Sequence, residues 1–97
     1  AYPRAEGNRP LTLAAQIDRC RARQGHTPQG TDGPAVVALQ ALIAQRSAGQ
    51  PVRFEPALAP WAERGARLWQ TRFGQLNLAC AQCHDDRAGQ RLGGSTI

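Results

Sequence analysis

Cys80-Ala81-Gln82-Cys83-His84 places two thiols two residues apart with a histidine directly after the second, which is the attachment signature of a c-type haem. One tight turn of backbone puts both sulfurs on the same side of the chain, where each can add to a porphyrin vinyl group. His84 is then carried beneath the ring as the proximal iron ligand. Covalent capture holds a cofactor that a short chain could not enclose by burial alone. Two other readings of the cysteine pair compete. A thioredoxin-like redox pair belongs at the end of a strand in a βαβ unit, whereas a helical pattern precedes Cys80. Zinc is the stronger rival, with Cys20, His26, Cys80 and Cys83 as a Cys3His set. Structural zinc sites, however, use two close-spaced ligand pairs, and Cys20 and His26 are six residues apart.

The 97 residues, 41% of them apolar, make one small domain or two partial ones with only a thin core, and haem would supply much of the missing apolar interior. Three cysteines is an odd count. After two thioethers Cys20 is left over, to be matched with a metal, a disulfide or another chain. All twelve basic residues are arginine, and against seven acids they give +5. That balance suits anionic small molecules or acidic protein surfaces. The arginines are spread from Arg4 to Arg91 with no basic stripe on any helix, so nucleic acid is discounted. No apolar run is long enough to cross a bilayer, so no membrane partner is expected, and without an initiator Met or signal peptide the chain reads as processed or cut from something longer. Haem attachment through cysteines places it in an oxidising, exported compartment, the periplasm.

Along the chain, Ala1 to Pro10 lacks periodicity and reads as a surface loop. A first helix is expected from Leu13 to about Gln24, with Thr12 as N-cap and Leu13, Ile17 and Cys20 on one inward face. Gly25 to Gly33 is a loop. Pro34 opens a second helix carrying Val36, Leu39, Leu42 and Ile43, which Gly49 and Pro51 end. Pro51, Pro56 and Pro60 mark an extended connector. A third helix is expected from about Pro60 to Phe73, with Gly74 as its stop and Gly65 compensated by a close helix crossing. Trp69 on that helix is balanced between plain core and cofactor contact. No strand pattern appears, so the fold class expected is all-α.

The chain has no methionine, which leaves His26 and Cys20 as the local candidates for a distal ligand. Cys20 can ligate iron as a thiolate or act as a buried structural thiol. Only thirteen residues follow His84, too few to wall a second haem face.

The run Arg72-Phe73-Gly74-Gln75-Leu76-Asn77-Leu78-Ala79-Cys80-Ala81-Gln82-Cys83-His84-Asp85-Asp86-Arg87-Ala88-Gly89 closely resembles the haem-binding segment of the SoxA family, the larger cytochrome subunits of SoxAX thiosulfate-oxidising complexes. The likeness extends through Asn8-Arg9-Pro10-Leu11-Thr12-Leu13, Ile17-Asp18-Arg19-Cys20-Arg21 and Ser47-Ala48-Gly49-Gln50-Pro51-Val52. The resemblance implies parts of two adjacent cytochrome c-like domains, residues 1–50 ending the first and 51–97 beginning the second. It implies haem c on Cys80 and Cys83 with His84 as proximal ligand. Cys20 matches a cysteine that either ligates another haem or joins a disulfide. The family's active-site cysteine, a persulfide and distal ligand, is expected beyond Ile97, so catalysis is expected of the full-length subunit. The implied reaction joins thiosulfate oxidatively to a cysteine of the SoxYZ carrier, with SoxX as the heterodimer partner. Asp85, Asp86 and Arg87 match family residues and read as a solvated, helix-capping charge cluster. The alternatives are a simple electron-transfer cytochrome and a zinc-stabilised binding module.

Overall fold

Gly7 and Asn8 turn the chain back on itself, with Gly7 at a left-handed φ of 62° in the two-residue connection. In the computed structural model, which describes residues 2–97, this turn joins β1 (Arg4–Glu6) to β2 (Arg9–Leu11) in an antiparallel ladder pairing Arg4 with Leu11, Ala5 with Pro10 and Glu6 with Arg9. The opening segment is therefore a hairpin and not a loop; Ala1 lies outside the described residues. Each strand is three residues long, too short to display a two-residue period, which is why its sequence carries no alternating pattern. The turn dipeptide was the available signal.

Helix α1 (Leu13–Arg23) starts as expected, the Thr12 hydroxyl accepting the Ala15 amide at 3.1 Å. Helix α2 (Pro34–Arg46) has its proline in the first turn, where the missing N–H costs nothing. Gly33, its N-cap, has no side chain to offer, and the Gln29 side-chain oxygen takes the Ala35 amide at 3.1 Å instead. Helix α2 ends at Arg46, where the Ser47 hydroxyl donates to the Ile43 carbonyl at 2.7 Å. The helices pack on each other through a thin core in which Ile17 and Val36 are buried. Leu58, in a single 3-10 turn (Pro56–Leu58) lying against β1, is the other large buried side chain of this part of the chain. Glu55 fastens that turn, accepting the Ala5 amide at 2.7 Å.

The α1–α2 loop is pinned by one carboxylate. Asp18 accepts the Gln29 and Gly30 amides, each at 2.9 Å, and stands 3.7 Å from the Arg21 guanidinium. These amides hold the Asp18 carboxyl below its ordinary value; partial burial opposes them, and the Arg21 charge adds to them. A carboxyl whose folded pKa is depressed stabilises the fold above its unfolded pKa of about 3.9 and loses that contribution as pH falls through the folded value. The stability gap between native protein and Asp18→Asn is therefore expected to be full at neutral pH and to close on acidification. Urea midpoints measured down to about pH 2 check this, and a gap independent of pH would contradict it.

The chain divides into two compact units between Leu58 and Ala59, at the far end of the proline connector. In the second unit, α3 (Ala59–Gln70) stops before Thr71, whose hydroxyl donates to the Arg67 carbonyl at 2.6 Å. Gly74 is not the helix stop: with φ of 78° it opens a turn, closed by Asn77 at φ 49°, that brings Phe73 and Leu78 into a two-residue bridge. Gly65 makes no close crossing either, since a Cβ there would meet nothing within 4 Å. Helix α4 (Cys80–His84) follows, and β3 (Arg91–Leu92) pairs with β4 (Ser95–Thr96) around Gly93-Gly94, both at positive φ. The fold is thus mainly helical with two short hairpins, and the all-α expectation is corrected to that extent. No helix among the described residues is long and apolar enough to cross a membrane.

Candidate haem-attachment site

Helix α4 is five residues long and follows Ala79, which has no capping side chain. Gln82 compensates by folding back so that its side-chain oxygen accepts the Ala79 amide at 2.8 Å. At the other end the Ala81 carbonyl accepts the amides of Asp85 at 2.9 Å and Asp86 at 3.1 Å. Ala79 and Ala81 are buried. The two residues between the cysteines thus build the turn, Ala81 by burial and Gln82 by capping, while Cys80 and Cys83 remain free, half-buried thiols and His84 is exposed.

Trp69, one residue before the end of α3, lies against His84 with ring centroids 5.6 Å apart and planes tilted by 39°. Its indole N–H donates to Asp85 Oδ2 at 2.8 Å. Trp69 is therefore a neighbour of the proposed ligand, and Asp85 is more than a solvated charge. The sequence hinted at the first through the aromatic on the helix before the motif; nothing in it paired Trp69 with Asp85, sixteen residues on. A concavity of about 560 Å³ opens beside the helix, lined by Leu78, Gln82, Cys83, Asp86, Arg87, Gln90 and Leu92. Its mixture of apolar walls with an arginine suits a flat apolar group bearing carboxylates.

Two free thiols on one short helix, followed by an imidazole, are the donors that thioether attachment and axial ligation of a haem require. Cys80, Cys83 and His84 are brought together in this way; Cys20 and His26 belong to the other unit. Cys20 does not point inward. It is exposed on α1, its sulfur 3.5 Å from the Gln16 side-chain amide. The three-residue step from Ile17 leaves Cys20 about 60° off the buried position around the helix, and the core is too thin to cover that edge. His26 is likewise exposed, in the loop after α1. In neither unit do three histidine, cysteine or acidic side chains converge as a metal site among the described residues.

No family profile matches the chain. It is 41% identical over 97 residues to the L-cysteine S-thiosulfotransferase subunit SoxA of Pseudaminobacter salicylatoxidans, covering 94% of this chain and 34% of that protein. With the subunit of the same name from Allochromatium vinosum the identity is 38% over 104 residues, covering 99% of this chain and 37% of that one. The crystal structure of SoxXA from P. pantotrophus superposes with a TM-score of 0.82 at 27% identity, over 99% of this chain and 38% of that one. The chain spans about a third of the length of the curated relatives it matches.

Proposed function

We propose, from the premise that this chain is a SoxA-family sequence over the third of the subunit it spans, that it carries the haem-attachment site of a SoxAX-type L-cysteine S-thiosulfotransferase. The observation that carries the reading is the α4 constellation, with Cys80 and Cys83 as free thiols on one capped turn, His84 directly after them, and the Leu78–Arg87–Leu92 concavity alongside. In this reading Cys80 and Cys83 would hold the haem through thioethers, His84 would be its proximal ligand, and Arg87, which lines the concavity, would offer a cation to its carboxylates. Residues 1–50 and 51–97 are parts of adjacent cytochrome c-like domains. Cys20, exposed on α1, serves either as ligand to another haem or as a disulfide partner.

The reaction is the oxidative joining of thiosulfate to a cysteine thiol of the SoxYZ carrier. One S–S bond forms, the thiol proton is released, and two electrons leave. When bound, haem would supply one-electron acceptance for that oxidation. SoxX is read as the partner cytochrome, which the SoxXA structural neighbour supports, and the assembly is read as periplasmic.

The test uses the full-length subunit with its SoxX partner, matured with periplasmic haem-attachment machinery. The expected result is haem that survives denaturation and, with an electron acceptor, a thiosulfate-dependent mass gain on the carrier cysteine. A colourless zinc-containing product would overturn the haem assignment. A haem-loaded complex that leaves the carrier unmodified would reduce the role to simple electron transfer.

A further inference from the structure

We propose that Asp85 and Trp69 are positioning residues for His84: the carboxylate fixes the indole, and the indole face fixes the plane of the imidazole. This rests on the haem reading above. His84 is the last residue of a one-turn helix and is exposed, and neither of its ring nitrogens is hydrogen-bonded among the described residues. The Trp69 ring packs against it, 5.6 Å away between centroids, in the range of a favourable tilted aromatic pair. The indole is itself tethered by the 2.8 Å bond to Asp85 Oδ2. Because Asp85 directly follows His84 and Trp69 stands on α3, the three side chains tie the ligand-bearing turn to the preceding helix. Ligating imidazoles are oriented by the groups around them, and that orientation tunes the metal.

The pair thus does for ring orientation what a hydrogen bond to the remote imidazole nitrogen does elsewhere. Asp85 acts only through Trp69. Removing either should release the imidazole plane in the same way, and removing both should do no more than removing one.

The experiment uses the full-length, haem-loaded subunit and reads the ferric electron paramagnetic resonance spectrum, whose anisotropy follows the axial-ligand plane, together with the reduction potential. Covalent haem is checked first in the native protein after denaturation; its absence there would fail the haem reading and not the positioning one. Trp69→Ala and Asp85→Ala are expected to shift and broaden the α4 haem signal in the same sense, with the double variant matching the larger single shift. Asp85→Asn, whose amide oxygen still accepts the indole N–H, should retain the native spectrum. If Trp69→Ala fails to fold, Trp69→Phe, which keeps a ring and loses the donor, gives the answer by a smaller shift in that sense. A lowered melting temperature with unchanged spectrum and potential would overturn the proposal, as would independent, additive shifts from the two sites.

Discussion

Serine at both Cys80 and Cys83 is expected to leave the mature subunit with one covalent haem fewer. Thioether formation needs a sulfur nucleophile, and a hydroxyl of nearly the same size does not replace it. The substitution is otherwise mild. The turn is built by buried Ala81 and by the Gln82 cap on the Ala79 amide, and neither depends on the sulfurs. The loss therefore reports attachment chemistry and not collapse of α4. Intact mass of the denatured protein should fall by one haem, and in-gel haem staining should drop to what any other attachment site in the subunit contributes. Each single serine variant keeps one thioether and should hold the haem less stably. Cys20→Ser should leave this haem attached. A double variant that still carries the full complement after denaturation would show that the group is welded elsewhere.

The second large effect concerns stability. Truncating Leu58 to alanine is expected to cost about 2–5 kcal/mol, from lost transfer energy and from the cavity left behind. Leu58 is 2% exposed, and with Ile17 and Val36 it makes up the large buried apolar side chains of the unit ending at Leu58. Against a total stability of about 5–15 kcal/mol for an ordinary domain, that is a substantial fraction. Leu76, 80% exposed at the turn before α4, is the control: its alanine variant should stay within about 0.5 kcal/mol of native. Urea denaturation of the two variants gives the comparison, and similar midpoints would remove Leu58 from the core.

Acidic residues behave differently from these apolar anchors, because their partners, two backbone amides for Asp18 and an indole for Asp85, are brought in by the fold. Asp18 looks like one more polar residue on α1, yet it holds the Gln29–Gly30 loop. Asp85 looks like part of a charge run, yet it receives the Trp69 indole. Neither role has a local signature, since each depends on a partner eleven or more residues away. The helix starts were legible because caps are local: Thr12 bonds an amide three residues on, and Pro34 fits a first turn through its own ring. The hairpins were not, because strands of two or three residues are shorter than the pattern used to recognise strands.

The sequence by itself determined the C-x-x-C-H constellation, the first two helices with their starting residues, and the SoxA resemblance, all of which depend on residue identity at fixed short spacings. Tertiary structure decided what is exposed and what touches what. It turned Cys20 outward at the edge of a thin core, left Gly65 without a helix against it, and set Trp69 between His84 and Asp85. Periodicity assigns a residue to a side of its own helix, but only the neighbouring elements determine how much of that side is covered.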